Sequence, residues 1–158
     1  MSSGSEVKNI ATNRKATHDY NLEERFEAGI VLTGSEIKSI RARQVSLKEA
    51  HVQIDSRGVW LVNAHIAPYD PANQFNHDPK RNRKLLLHKR EISRLFDQVR
   101  QRGYTIIPTR LYLKSGLAKV EIALAKGKRK YDKRRELAKK AADRDIERAL
   151  SRKRRGDD

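Results

Sequence analysis

Along the first 125 residues the apolar positions come in short runs whose spacing switches between alternation and helical periodicity, and each switch marks an element. Phe26, Ala28, Ile30 and Leu32 alternate with Glu27, Gly29 and Val31, which predicts a strand with one buried face. Thr33-Gly34-Ser35-Glu36 reads as a capping box, with the threonine hydroxyl accepting from the Glu36 N–H while the carboxylate reaches back. It opens a short helix with Ile37 and Ile40 inward and Lys38, Arg41 and Arg43 outward. Val52 and Ile54, then Val59 to Val62, flank a turn at Asp55–Gly58 and predict a hairpin. Pro68 to Pro79 has turn residues and no periodicity, the composition of a loop. Ile92, Leu95, Phe96 and Val99 stand at helical spacing and Gly103 ends that helix. Tyr104–Leu113 and Leu117–Leu124 form a last hairpin across Ser115-Gly116. In its first strand Ile106 and Leu111 differ in parity, which predicts a bulge near Pro108. Trp60 is read as a core residue.

The sum is about six strands, mostly antiparallel, with two or three helices. Sheets of this size close into small barrels, so the expected fold is a mainly β, oligonucleotide-binding-like barrel over residues 13–125. Residues 1–12, with three Ser and one Gly among them, are expected to be a disordered lead-in.

A different regime begins at Lys126. From there to Arg155 fifteen Lys or Arg stand against five Asp or Glu, and no Gly or Pro occurs between Gly127 and Gly156. The composition favours helix, but the apolar stripe (Leu137, Ala138, Ala141, Ala142, Ile146, Ala149, Leu150) is too thin to bury much surface. Like charges four apart, such as Lys140/Arg144 and Arg144/Arg148, destabilise it in isolation. Residues 126–158 are therefore expected to be a basic tail that becomes helical on a polyanion, where neutralised phosphates remove the repulsion.

The net charge of +16 implies a polyanionic partner, nucleic acid rather than membrane, since no apolar run approaches spanning length and no signal peptide precedes Asn13. The absence of cysteine rules out disulfides and thiolate metal sites and fits a cytoplasmic protein, and the five histidines lack ligand spacing. His18, Asp19, Glu23 and Glu24 can be drawn as a nuclease cluster, but alternation along a strand would send Glu23 and Glu24 to opposite faces. No Walker, GxSxG or HExxH motif is present, so neither catalysis nor a cofactor is expected. On residues alone, an RNA-binding adaptor, a basic ribosomal or ribosome-assembly protein and a DNA-compacting protein all remain open.

Four ordered blocks narrow the choice: NRKATHDY at 13–20, FEAGIVLTGSEIKSIRA at 26–42, DPKRNRKLLLHKREI at 78–92 and KVEIALAKGKRKYDKR at 119–134. In these the chain resembles the SsrA-binding protein (small protein B) family of bacterial trans-translation. The resemblance implies a barrel that holds the tRNA-like domain of transfer-messenger RNA, and a tail that enters the decoding site and empty mRNA channel of a stalled ribosome, against small-subunit ribosomal RNA. It further implies delivery with elongation factor Tu; a cytoplasmic monomer without membrane contact is expected. Family RNA-binding positions fall on Asn13, Glu27 and Leu86. The cations Lys15, Arg81, Arg83 and Lys84 are expected beside them, with His18 from the first block and Lys38 and Arg41 as cations that Glu27 orients. The family's tail motif falls on Gly127, Lys128, Arg129, Asp132, Lys133 and Arg134, Arg129 replacing a lysine, and Lys130 lies within it. Tyr131, stranded in a polar tail, is expected to stack on a base.

Overall fold

In a computed structural model that describes residues 6–69, 76–127, 144 and 148, the chain runs β1 (Val7–Thr12), α1 (Arg14–Asp19), β2 (Tyr20–Ile30), α2 (Gly34–Arg41), β3 (Val45–Ser46), β4 (His51–Asp55), β5 (Gly58–Val62), β6 (His65–Ile66), β7 (Arg83–Leu86), α3 (Lys89–Arg102), β8 (Thr105–Lys114) and β9 (Leu117–Gly127). It separates into two units, residues 1–126 and 127–158. The first holds these elements apart from Gly127, the last residue of β9.

Seven strands form one sheet in the order β1-β8-β4-β5-β7-β2-β9, and a further pairing of β8 with β9 closes it into a ring. β1 lies outside the ring, on the edge that β8 offers beyond its single pairing with β4 at Val52 and Ile106. The short pair β3 and β6 forms a separate ribbon.

Local chemistry accounts for the turns. Asp55 Oδ1 accepts from the N–H groups of Arg57 and Gly58, closing the β4–β5 hairpin. Ser115 and Gly116 both take positive φ (52° and 81°), the requirement of a two-residue turn that matches the twist of β8 and β9. Thr33 and Glu36 make both halves of the capping box on α2. Gly103 takes a left-handed conformation and ends α3. The register of β8 against β9 shifts between Pro108 and Arg110, the bulge that the parity of Ile106 and Leu111 required.

Inside the ring Ala28, Val59, Leu61, Leu85, Ile106, Leu111, Val120 and Ile122 are buried. Leu95 of α3 and Ile40 of α2, neither of them exposed at all, join the same core. Each such aliphatic side chain contributes roughly 1.5–3 kcal/mol by leaving water. A second cluster of Ala16, Ile107 and Ala125 seats α1 against the outside of the wall.

Several expectations are corrected. Residues 7–12 are strand β1, held by five register partners on β8, and not a disordered lead-in. The irregular sequence VKNIAT carries no alternation to reveal it, because the strand is made by the edge it pairs with. The described residues hold nine strands and not six. Trp60 is not core: Val59 and Leu61 point into the ring, so Trp60 lies on the outer face, half-buried. The Pro68–Pro79 segment is described only at its ends.

Candidate nucleic-acid interface

Alternation along β7 decides which of its side chains can meet a partner. Arg83 and Leu85 point inward and are buried, whereas Lys84 and Leu86 point outward. Leu86 is 53% exposed, an unusual position for a leucine held on a strand. It pairs with Gly29 of β2, whose missing side chain leaves Leu86 room to lie flat: a Cβ at Gly29 would come within 3.3 Å of the Leu86 Cβ. Two grooves flank Leu86. One, about 380 Å³, runs between β2, α2 and the β8–β9 hairpin, with Ile30, Leu32 and Leu117 on its walls and Arg41 and Lys119 at its rim. The other contains Glu27, Gly29, Leu87, His88 and Lys119.

Glu27 stands on β2 two residues before Gly29, on the same face. Its Oε2 accepts from the Tyr112 hydroxyl at 2.5 Å and from Lys114 Nζ at 3.3 Å. The Tyr112 bond holds the Glu27 carboxyl below its ordinary value against the opposing effect of burial, with Lys114 and Lys119 adding to it. Burial first, then the Glu27 bond, push the Tyr112 hydroxyl up, so Tyr112 remains a donor across the neutral range. The result is an ionised carboxylate of fixed direction whose second oxygen lies 3.4 Å from Lys114 Nζ. Such a group accepts a hydrogen bond from a base amine or a ribose hydroxyl. Its partners are thus Tyr112 and Lys114, and not Lys38 or Arg41. Lys38 instead lies over the Tyr69 ring, 5.5 Å from its centre.

Two sequence-predicted contacts turn out to be internal. Arg83 is fully buried, with Nε 2.6 Å from Glu36 Oε2 and Nη1 2.7 Å from the Ala64 carbonyl, so it offers nothing to a phosphate. Arg81 is partly exposed but places Nη2 2.6 Å from Glu36 Oε1. The cationic loop at 78–84 therefore presents Lys80, Lys84 and part of Arg81 outward. Glu36 is accordingly more than a helix cap, since it is the counter-charge for both arginines.

Asn13 is the second case. It is 5% exposed, its Nδ2 donates to the Pro108 carbonyl at 2.9 Å, and its Oδ1 accepts from the Ala16 N–H at 3.2 Å. Its own N–H donates to the Thr109 carbonyl at 2.8 Å. The bulge in β8 frees both carbonyls, and Asn13 takes them up while capping α1. It fastens α1 to the barrel. Lys15 on α1 pairs with Glu49 at 3.2 Å, both half-exposed, and His18 meets Asp19 at 2.9 Å.

Glu23 accepts from the Tyr104 hydroxyl and Glu24 pairs with Arg94, so these two carboxylates serve different neighbours. Among the described residues no three His, Asp or Glu side chains are placed to hold a metal ion. No helix among them is long and apolar enough to cross a membrane. At the root of the tail, Lys126 lies over the Tyr104 ring, 4.6 Å from its centre, and Gly127 ends β9. The positions from Lys128 to Arg134 lie outside the described residues.

Lys119, Tyr112 and Lys114 were not legible as site residues in the sequence. Only the pairing of β2 with its neighbours brings them to Glu27 and Leu86. Lys119 sits in one of the four blocks that carry the family resemblance, but nothing in that block says which face it takes.

A family model described as SmpB protein matches residues 10–152. The chain is 53% identical to the SsrA-binding protein of Halothermothrix orenii, over 94% of this chain and 96% of that one. It is 57% identical to the SsrA-binding protein of Roseiflexus sp., over 95% of this chain and 96% of the other. Among solved structures it is similar to a chain described as "tmRNA-SmpB: a journey to the center of the bacterial ribosome", with a TM-score of 0.64 and 42% identity over 89% of this chain and 95% of that chain.

Proposed function

Since the chain belongs to the SmpB protein family, whose members are non-catalytic RNA-binding proteins, we propose that it is the transfer-messenger RNA adaptor of trans-translation. The barrel, read as oligonucleotide-binding-like, binds the tRNA-like domain and brings it to stalled ribosomes. The basic tail takes helical form in the vacant decoding site and mRNA channel, where Lys128, Arg129, Lys133 and Arg134 neutralise ribosomal RNA phosphate and Tyr131 stacks on a base. Elongation factor Tu joins the delivery complex, and the work is done in the cytoplasm.

One observation carries the barrel half of this reading. Exposed Leu86 and the oriented, ionised Glu27 line one outer groove together with Lys119, an arrangement with apolar, acceptor and cationic groups side by side and no internal use for Leu86. A folded RNA, recognised by shape, 2′-hydroxyls and phosphates, offers complements to all three. The tail supplies charge without a base-reading pattern, which suits recognition of an empty channel by space.

The test separates the two halves. Affinity for a transcript of the tRNA-like domain is measured for the full chain, for the chain ending at Ala125, and for the full chain carrying Lys133→Glu with Arg134→Glu. Tagging of stalled nascent chains is measured alongside. The reading expects near-equal RNA affinity in all three and tagging only by the unaltered chain. Loss of RNA affinity on truncation, or tagging that survives it, overturns the division of labour.

A further inference from the structure

Trp60 is the single tryptophan of the chain, and its position on the outer wall leaves it without a core to join. On β5 it pairs with Gln53 of β4 on one side and Lys84 of β7 on the other. Both neighbours are exposed. Among the described residues, the indole N–H, the Gln53 amide and the Lys84 ammonium have no hydrogen-bond or ion-pair partner. A half-buried tryptophan ordinarily finds a partner for its N–H. Here three adjacent side chains, one aromatic and two polar, all leave their polar atoms to solvent.

The backbone around them is shaped to the same end. Gly58 has no side chain, and the Lys84 Cε passes 3.6 Å from where a Cβ would stand, so the lysine stem lies along the hairpin beside the indole. The acids nearest the strip and at the Leu86 end of β7 are occupied. Asp55 Oδ1 is bound by its own turn, and Glu27 by Tyr112 and Lys114. Lys84 stands two residues before Leu86 on the same face of β7, roughly 7 Å away at strand spacing. The strip Gln53–Trp60–Lys84 is therefore continuous, through β7, with the Leu86–Glu27 face.

We propose that Trp60 is a nucleobase-stacking platform that extends the RNA-binding face across β5, with Lys84 neutralising the phosphate of the stacked nucleotide and Gln53 donating to or accepting from the base edge. This rests on the RNA-adaptor reading and adds a site to it. The ligand is an unpaired nucleotide of the bound RNA, because a base in a duplex has no free face for the indole. Stacking tolerates any base, so the site adds affinity without reading sequence.

Trp60 reports on itself, being the only indole. Full-length protein is titrated with the tRNA-like transcript while indole emission and its quenching by acrylamide are followed, and the anisotropy of end-labelled RNA gives binding independently. Stacking predicts quenched emission and at least about twofold protection from acrylamide, saturating at the concentration where anisotropy saturates. Trp60→Ala is expected to weaken binding about tenfold, and Trp60→Phe to stay within about threefold of the parent. Lys84→Ala should weaken binding and flatten its salt dependence. If Trp60→Ala disturbs folding by circular dichroism, the unaltered protein's emission and the phenylalanine variant decide. RNA binding with unchanged Trp60 emission and accessibility overturns the platform and leaves the adaptor reading standing. Absence of any RNA binding overturns both.

Discussion

Arg83 Nε lies 2.6 Å from Glu36 Oε2, and neither side chain reaches solvent. The pair ties α2 to β7 beneath the face that carries Lys84 and Leu86. Arg83 also donates to the carbonyls of Ala64 and Pro79, and Glu36 accepts from the Thr33 N–H and from Arg81. Deleting Glu36 leaves Arg83 as a buried charge without its carboxylate, which costs about 3–5 kcal/mol, whereas deleting Arg83 leaves Glu36 still paired with Arg81. Glu36→Ala should lower unfolding stability by that amount in urea titrations, and Arg83→Met by less. Arg83→Lys should fail to restore it, because a lysine cannot supply the planar fork that reaches Glu36 and Ala64 together. A loss below about 1 kcal/mol would mean that the pair is not what joins helix and strand.

The same carboxylate makes stability depend on acid. Burial pushes the Glu36 carboxyl up, but the bonds from Arg81, the Thr33 N–H and Arg83 together outweigh it and hold it below its ordinary 4.5. A depressed folded value means that the stabilisation is fully present above the unfolded value and is lost as pH falls through the folded one. Melting temperature should therefore be flat above about pH 5 and drop below about pH 4. In Glu36→Gln the curve should start lower and lose part of that acid slope.

Glu27 and Tyr112 give a parallel prediction for binding. Tyr112→Phe removes the hydrogen bond that does most to keep Glu27 ionised. RNA affinity should fall several-fold at pH 7, as the carboxylate loses its fixed direction. The pH at which binding weakens in acid should also move upward toward the ordinary carboxylate value of 4.5. Anisotropy titrations between pH 4 and 7 measure both effects, and an unshifted midpoint would separate Tyr112 from the site.

These predictions turn on residues the sequence disclosed unevenly. The capping box at Thr33–Glu36, the β4–β5 hairpin, α3 with its Gly103 stop and the bulge at Pro108 were all legible, because each rests on neighbours in the chain. What escaped depends on distant partners. β1 exists only through β8, α1 only because Asn13 takes carbonyls freed by a bulge 95 residues away. The cationic run at 80–84 looked uniform in the sequence, yet alternation on β7 buries Arg83 and exposes Lys84, and nothing local says which parity faces in. The same ambiguity made Trp60 look like core. Leu86 was named through family resemblance, since an exposed leucine next to buried ones is indistinguishable from them by composition.

Charge predicts how the two halves respond to salt. Residues 126–158 hold fifteen Lys or Arg and seven Asp or Glu, a net of +8 out of +16. Each phosphate contact contributes on the order of 0.7–0.9 to the slope of log affinity against log salt. For the isolated tRNA-like RNA the slope should be the same with and without the tail. For ribosome binding it should fall by several units on truncation. Equal slopes in the ribosome assay would mean that the tail meets no ribosomal phosphate.

Gly29 offers the sharpest separation of binding from folding. A Cβ there would stand 3.3 Å from the Leu86 Cβ and 3.6 Å from its Cδ1. That is tighter than an ordinary contact: the Leu86 Cβ is fixed to β7, so the two strands must part by a few tenths of an ångström while the exposed Cγ and Cδ1 rotate away. Because Gly29 lies within β2, replacing it also removes some chain entropy from the unfolded state. Gly29→Ala should thus leave thermal stability within about 1 kcal/mol of the parent. Leu86 would be turned off the β2–β7 line, however, narrowing the groove toward Lys119, and affinity for the tRNA-like RNA should fall about tenfold, with Gly29→Val falling further. The matched control is Gly34→Ala, where an added Cβ meets nothing within 4 Å and neither quantity should change. If Gly29→Ala binds as tightly as the parent, the placement of Leu86 opposite a glycine has no part in gripping RNA. If it melts much earlier, β2 and β7 lack the slack that the exposed leucine implies.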